Sequence, residues 1–182
     1  MTTPLFAADT TANEVNRSAV LSKNGRYRYR LDRWWEPEST GTGSTRMPFM
    51  MLNPSTADAY RDDPTIRRCI GFARREGACG ITVVNIGAYR ATDPQEWCSA
   101  PDPFGPDNTT EVMAAVETAG YVVAAWGAHP AARTAGAVYL EAFRDAGVTV
   151  LCLGTTKDGS PRHPLYVRAD QPLVPLGSGR NE

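Results

Sequence analysis

The chain has 182 residues, 42% of them apolar and 21% charged, which fits one globular domain and excludes a disordered chain. The net charge of −1 argues against a protein that binds DNA of any sequence, because such binding depends on a basic field, although a local basic cleft remains compatible. No apolar run is long enough for a membrane span, and the N-terminus lacks the features of a signal peptide. With four cysteines and no CxxC pair, we expect reduced thiols in a cytoplasmic protein that makes no membrane contact.

The composition along the chain suggests an arm at residues 1–22, a single α/β domain at 23–176 and a tail at 177–182. Basic and aromatic residues alternate over Arg26–Trp35, which predicts a strand with one wet face. We interpret it as an edge strand protected by arginines. The alternative is a basic stacking surface for nucleic acid. Gly, Ser and Thr over Glu36–Arg46 indicate a loop.

The next segments alternate between strand and helix patterns. The apolar run Pro48–Leu52 is typical of a buried parallel strand. Asp63 and Pro64 have the residue types of an N-cap and a first helical position, and Gly77 provides a C-terminal stop. Gly80–Ile86 then predicts a second central strand.

The C-terminal half continues this alternation after a Pro/Gly-rich loop at residues 87–106. Asn108–Glu111 has the spacing of a capping box and predicts a helix to about Thr118. Three further elements follow, a strand, a helix and a strand, at 121–126, 131–143 and 148–153. This order predicts a three-layer α/β fold, with a central four-stranded parallel sheet flanked by helices and an additional N-terminal edge strand or hairpin.

Polar segments follow each predicted parallel strand. In such a sheet, ligands bind beyond the carboxyl ends of the strands, so these segments are expected to meet in one site. They are Asn53–Asp58, Asn85 with Tyr89–Asp93, Trp126–Gly127, and Gly154–Tyr166.

These segments, in this order, resemble the motifs of the uracil-DNA glycosylase superfamily. The matching pieces are Asn53-Pro-Ser55, Val83-Val-Asn85 with Tyr89-Arg90, the strand that ends at Gly127, and His163-Pro-Leu165. The resemblance implies a protein that binds a nucleobase in DNA and hydrolyses its N-glycosidic bond. The whole chain, through its LNPSTAD, DDPT, RATDP and RHPLY motifs, also resembles a bacterial and phage family of unknown function.

The resemblance assigns roles to three residues, each with a structural alternative. Asn53 would hold the attacking water through its amide oxygen, or it caps a turn after its strand. Asn85 would read a base edge with its donor and acceptor, or it is pinned inside the fold. His163 would donate to a base carbonyl and stabilise the developing anion, or it lies in a surface loop.

A neutral amide cannot take a proton, and efficient members of the superfamily carry an aspartate where Asn53 stands, so a slow or specialised activity is implied. Asp58 and Asp62 are therefore candidate water activators, and Asp63 is already explained as a helix cap. The remaining candidates would bind substrate: Ser55, Tyr60, Arg90, Trp126, Gly127, Arg162 and Leu165.

No cofactor is expected. An iron–sulfur variant of the superfamily needs a cysteine where Tyr89 stands, and the two histidines lack zinc-ligand spacing to any cysteine. The expected partner is DNA or a nucleotide, and the oligomeric state is not predicted. Two rival functions stay open: a non-catalytic nucleic-acid or nucleotide binder, and a small-nucleotide hydrolase that uses Asp58, Asp62 and His163.

Overall fold

The computed structural model describes residues 15–36, 45–55, 57 and 60–177. Within these ranges, seven strands and four α-helices form one mixed sheet with helices on both faces. The elements are β1 (Asn16–Leu21), β2 (Arg28–Trp34), β3 (Arg46–Met51), α1 (Pro64–Arg75), β4 (Gly80–Asn85), α2 (Pro94–Ser99), α3 (Asn108–Ala119), β5 (Tyr121–Ala124), α4 (Pro130–Asp145), β6 (Thr149–Cys152) and β7 (Val174–Pro175). A 3₁₀ turn, Pro164–Tyr166, lies between β6 and β7.

The sheet order is β1-β2-β4-β3-β5-β6-β7. The prediction of a central four-stranded parallel sheet is wrong, because the sheet has seven strands and is mixed. β3 pairs in parallel with β4 and β5, as β5 does with β6. The pairs β1–β2, β2–β4 and β6–β7 are antiparallel. Antiparallel strands thus extend the parallel part of the sheet at both edges. One of them, β7, has only two residues and so has no sequence pattern that could predict it.

The basic and aromatic strand is not an edge strand, contrary to the sequence-based interpretation. β2 lies between β1 and β4, and β1 forms within the segment expected to be an arm. Arg33 on β2 is 0% exposed, and its Nε donates to Asp62 Oδ1 at 2.7 Å. A buried arginine is tolerated when it is paired in this way, so alternating charge did not mark a wet face here.

The apolar core fills both faces of the sheet. Side chains alternate along β4, so that Val83 packs with α1 while Val84 packs with α3 and α4. Every residue of β4 is buried, as expected for a strand covered by helices on both sides. The two layers of helices hold the carboxyl ends of the parallel strands in fixed positions.

The helix caps agree with the sequence in one case and differ in another. Asp63 caps α1 by accepting from the Ile66 N–H at 2.8 Å, which confirms the predicted start. The predicted capping box is wrong, since Asp107 occupies the N-cap position of α3 without a side-chain cap bond. Asn108 is buried instead, and its Nδ2 donates to the carbonyls of Asn85 and Ile86 at 3.0 Å each. Asn108 therefore fastens α3 to the end of β4.

Gly87 follows β4, and a substitution at this position tests how tightly this end of the sheet is packed. A Cβ at Gly87 would lie 2.2 Å from Trp97 Nε1 and 2.6 Å from the Pro103 carbonyl oxygen. We expect Gly87→Ala to lower the free energy of unfolding by about 1–3 kcal/mol. As a control, Gly71→Ala on α1 meets no atom within 4 Å and should stabilise the protein by about 0.5–1 kcal/mol. Urea unfolding measures both changes, and equal effects of the two variants would contradict the packing described.

Candidate active site

A cleft of about 550 Å³ lies beyond the carboxyl ends of β3, β5 and β6. It brings together six of the residues that the sequence singled out: Asn53, Ser55, Trp126, Gly127, Arg162 and His163. These residues come from three separate loops, which converge because the strands that carry them are parallel neighbours. The expected meeting of polar segments at this edge of the sheet is therefore observed for these six.

Asn53 follows β3, and hydrogen bonds hold its side chain in place. Its Nδ2 donates to the Ala91 carbonyl at 2.8 Å and to the Pro54 carbonyl at 3.1 Å. The Ala91 N–H in turn donates to the Pro54 carbonyl at 3.0 Å, which joins the two loops. Because these bonds use the amide nitrogen, the amide oxygen of Asn53 is the atom left to accept a hydrogen bond from a ligand or water.

His163 begins the 3₁₀ turn, and its Nδ1 accepts from the Leu165 N–H at 3.4 Å. This bond assigns the proton of the neutral imidazole to Nε2. Burial lowers the pKa of His163, and the negative charge of Asp63 opposes that shift. The ring is therefore neutral at pH 7 and can serve as a hydrogen-bond donor without carrying a charge.

The turn that carries His163 is fixed from two sides. Arg68 on α1 donates from Nε to the Pro164 carbonyl at 3.2 Å and from Nη2 to the Val167 carbonyl. On the opposite side, a Cβ on Gly127 would stand 3.5 Å from the Cβ of His163, and Gly127 has a φ of 77° that favours glycine. Arg68 is thus a positioning residue for His163.

Asp63 and His129 line the cleft, although the sequence reading gave neither a role in the site. Asp63 is the only carboxylate among the described lining residues, and one of its oxygens caps α1. His129 caps α4 through Nδ1, which accepts from the Ala131 N–H at 3.3 Å. His129 and His163 both stand directly before a proline that starts a helical turn. This repeated His-Pro pair is the sequence feature that could have indicated a place for His129 in the site.

Arg28 also lines the cleft and was missed for a topological reason. β2 runs antiparallel to β4, so its first residue lies at the end of the sheet where β4 finishes. Arg28 is 3% exposed, and its Nη1 donates to the carbonyl of Ala57. The cleft wall thus combines the cations Arg28 and Arg162 with the carboxylate of Asp63.

Asp62 does not line the cleft, which contradicts its expected role as a water activator. Its Oδ1 accepts from Arg33 Nε at 2.7 Å, and its Oδ2 accepts from Arg17 Nη1 at 3.0 Å. Both carboxylate oxygens are thus used in ion pairs that join the loop to β1 and β2. Asp58, the other candidate activator, lies outside the described residues.

Asn85 is 1% exposed and is not among the residues that line the cleft. Its carbonyl accepts from Asn108, but within the described part of the chain its side-chain amide has no hydrogen-bond partner. Met51, its register partner on β3, does line the cleft, so the amide lies one strand away. An unpaired buried amide is costly, so this position calls for a water or ligand contact.

Other predicted contacts are spread outside the cleft. Tyr60 is 86% exposed and Leu165 is 39% exposed, and neither lines it. Arg90 lies in a neighbouring pocket. Trp126 lines the cleft but is only 5% exposed, because its ring packs against Gly136 of α4. Core packing thus accounts for most of its surface.

The pKa of His163 leads to a pH-dependent stability. The native pKa lies below the ordinary value of about 6.5, so the unfolded chain binds the proton more readily than the native protein does. We expect the melting temperature to fall as the pH drops below about 6.5, until the native pKa is reached. His163→Gln should flatten that decline, whereas an unchanged decline in the variant would show that His163 does not cause it.

The residues that the structure covers contain no group of three or more histidine, cysteine or carboxylate side chains that could hold a metal ion. In the same ranges, no helix has the length and apolar character needed to cross a bilayer.

The family model described as "Protein of unknown function (DUF1643)" matches residues 28–165, from the start of β2 to the end of the His163 motif. No curated protein and no solved structure gives a significant match. No comparison links the chain to uracil-DNA glycosylases, so that resemblance rests on its motifs. The chain belongs to the DUF1643 family.

Proposed function

We propose that this DUF1643 protein binds a nucleobase in the cleft and hydrolyses the N-glycosidic bond between the base and its sugar, in DNA or in a nucleotide. The observation that carries the proposal is that Asn53, Asp63 and His163 line the same cleft. The cleft volume of about 550 Å³ lies within the range of small-molecule sites. The order of the motifs along the chain is a second, independent argument.

The chemistry explains why these three side chains suit the reaction. Cleavage of the bond leaves positive charge on the sugar and negative charge on the departing base. A protein favours that transition state by placing a water, a negative group near the sugar and a hydrogen-bond donor near the base. The cleft offers one residue for each task.

Asn53 would position the water. Its amide nitrogen is held by the carbonyls of Ala91 and Pro54, and its oxygen is the remaining acceptor. A fixed acceptor orients the water for attack but does not remove its proton. This arrangement implies a slow reaction in which most of the charge separation precedes attack by the water.

Asp63 would supply the negative charge near the sugar. Only one of its oxygens is used in capping α1, and its charge acts on His163. Asp63 is half-buried, and a carboxylate partly removed from bulk water stabilises a sugar cation more strongly than one in solution does.

His163 would donate its Nε2 proton to a carbonyl oxygen of the base. Because burial keeps its pKa low, the imidazole stays neutral and binds the substrate without repelling the sugar cation. Asn85, whose amide is unpaired one strand away, would contact the base if the cleft deepened on binding. We place this activity in the cytoplasm, since all four cysteines are free thiols.

A second candidate function is binding without hydrolysis. It is favoured by the ion pairs of Asp62, which remove one expected activator, and by the neutral residue Asn53 directly before Pro54. A binder would retain the same cleft and the same base contacts.

The test is base excision from defined substrates. Single- and double-stranded oligonucleotides that carry uracil, hypoxanthine or hydroxymethylated pyrimidines are incubated with protein and then treated with alkali. We expect strand breaks with the wild type and none with the double variant Asn53→Ala/His163→Ala. Arg133→Gln, at an exposed ion pair with Asp158, is the control and should cut normally. A shift of the DNA on a gel without breaks would favour the binding function.

A further inference from the structure

A second and more open pocket of about 380 Å³ adjoins the cleft. The two spaces share Ser55, Ala91 and Thr92 in their walls. A ligand that occupies both spaces would therefore contact the two hydroxyl side chains and the small apolar side chain at their boundary. A bare nucleobase would fill only the cleft.

Two arginines, Arg26 and Arg90, line this second pocket. Their backbones are bonded directly, because the Arg90 N–H donates to the Arg26 carbonyl at 3.0 Å. Next to them, Tyr27 and Tyr89 form an antiparallel bridge. The turn before β2 and the loop after β4 are thereby held side by side, which directs two guanidinium groups towards one space.

The charge of the pocket is not balanced by ion pairs. Among the described residues, no carboxylate lies within 4.0 Å of the guanidinium of Arg26 or Arg90. Arg90 makes one hydrogen bond, from Nη1 to the Gly25 carbonyl at 3.4 Å, and Glu96 is the acidic residue in the lining. Two like charges that share one pocket and form no ion pair favour an anion between them, although Glu96 offsets part of their charge.

We infer that this pocket binds the phosphate of the nucleotide whose base occupies the cleft. The inference rests on the proposed function and deepens it, since it names a phosphorylated nucleoside as the substrate class. The planar forks of Arg26 and Arg90 suit phosphate oxygens, and the hydroxyls of Ser55 and Thr92 add donors on the side shared with the cleft. The sugar then spans the shared wall.

The first experiment uses inorganic phosphate, so that it does not depend on knowing the base. Binding is measured by calorimetry at low ionic strength for the wild type and for Arg26→Gln/Arg90→Gln. We expect the variant to bind phosphate at least about tenfold more weakly, because two charge-assisted contacts are lost. The matched control, Lys23→Gln/Arg144→Gln, removes two charges that do not line this pocket and should bind like the wild type. No phosphate binding by the wild type, or equal binding by the Arg26/Arg90 variant, would overturn the inference.

The second experiment connects the pocket to the cleft. Nucleosides, their 5′-monophosphates and a short single-stranded oligonucleotide are compared as ligands of the same proteins. We expect the phosphate to strengthen binding in the wild type but not in the Arg26/Arg90 variant. A phosphate advantage that survives in this variant would overturn the phosphate site even if bases are released. Arginine-dependent phosphate binding without base release would support the phosphate site and reject the hydrolysis. The oligonucleotide distinguishes the phosphates of a DNA strand from the phosphate of a free nucleotide. Binding along a strand weakens more steeply as the salt concentration rises.

Discussion

Replacing Asp62 with alanine is expected to lower the free energy of unfolding by about 3 kcal/mol. The reason is that Arg33, 0% exposed, would lose the carboxylate that accepts from its Nε at 2.7 Å. Removing a carboxylate partner from a buried guanidinium is far costlier than removing a surface pair. Urea unfolding with a shared slope for all variants gives the value.

Arg17→Ala is the matched control for this prediction. Arg17 pairs with the other oxygen of Asp62, but its side chain is 36% exposed. Its removal should cost no more than about 1 kcal/mol. If Asp62→Ala and Arg17→Ala had the same small effect, the buried pair would not hold β2 to the loop before α1. Base release by the folded fraction of Asp62→Ala should continue, whereas its loss would restore Asp62 as an activator.

Replacing His163 with alanine is expected to slow base release by about 10²-fold or more. The variant would lose the neutral donor that we propose for the departing base, while Arg68 and Gly127 still fix the backbone around it. His163→Gln keeps an N–H donor at this position and should retain more of the rate than His163→Ala. The comparison is made as kcat on the substrate that the excision assay selects.

Two results would contradict the role of His163. Equal losses in His163→Ala and His163→Gln would indicate that the imidazole does not act as a donor. A change in KM alone would indicate uniform binding instead of transition-state stabilisation. For Asn53→Ala we expect a loss of similar size, and the double variant should lose less than the product of the two single losses, because both groups serve one transition state.

Local signals in the sequence predicted the start of α1 correctly, although the capping box predicted for α3 was wrong. α1 begins where Asp63 and Pro64 indicate, because a cap and a fixed φ act within a few residues. The position of β2 could not be predicted in this way. Its arginines resemble a solvent-facing row, and the partner that allows Arg33 to be buried, Asp62, is 29 residues away. Two-residue β7 offered no pattern at all.

The sequence predicted those parts of the candidate site that follow the ends of parallel strands. Asn53 and His163 follow parallel strands and meet in the cleft. Asn85 follows one too, but whether an amide at a strand end lies in a cleft or beside it depends on the packing of neighbouring strands. Asp63 was not predicted as a site residue for another reason. The sequence already explained it as a helix cap, and nothing in the sequence indicated that it also lines the cleft.

The most direct measurement of the central claim is the release of free base, followed over time by mass spectrometry. The wild-type protein and Asn53→Ala/His163→Ala are each incubated with a mixture of natural and modified nucleotides and oligonucleotides. We expect one base to accumulate with the wild type, and to accumulate at least about 100-fold more slowly with the variant. No base from any substrate, while the wild type still binds nucleotides in the cleft, would contradict hydrolysis and leave the protein as a binder.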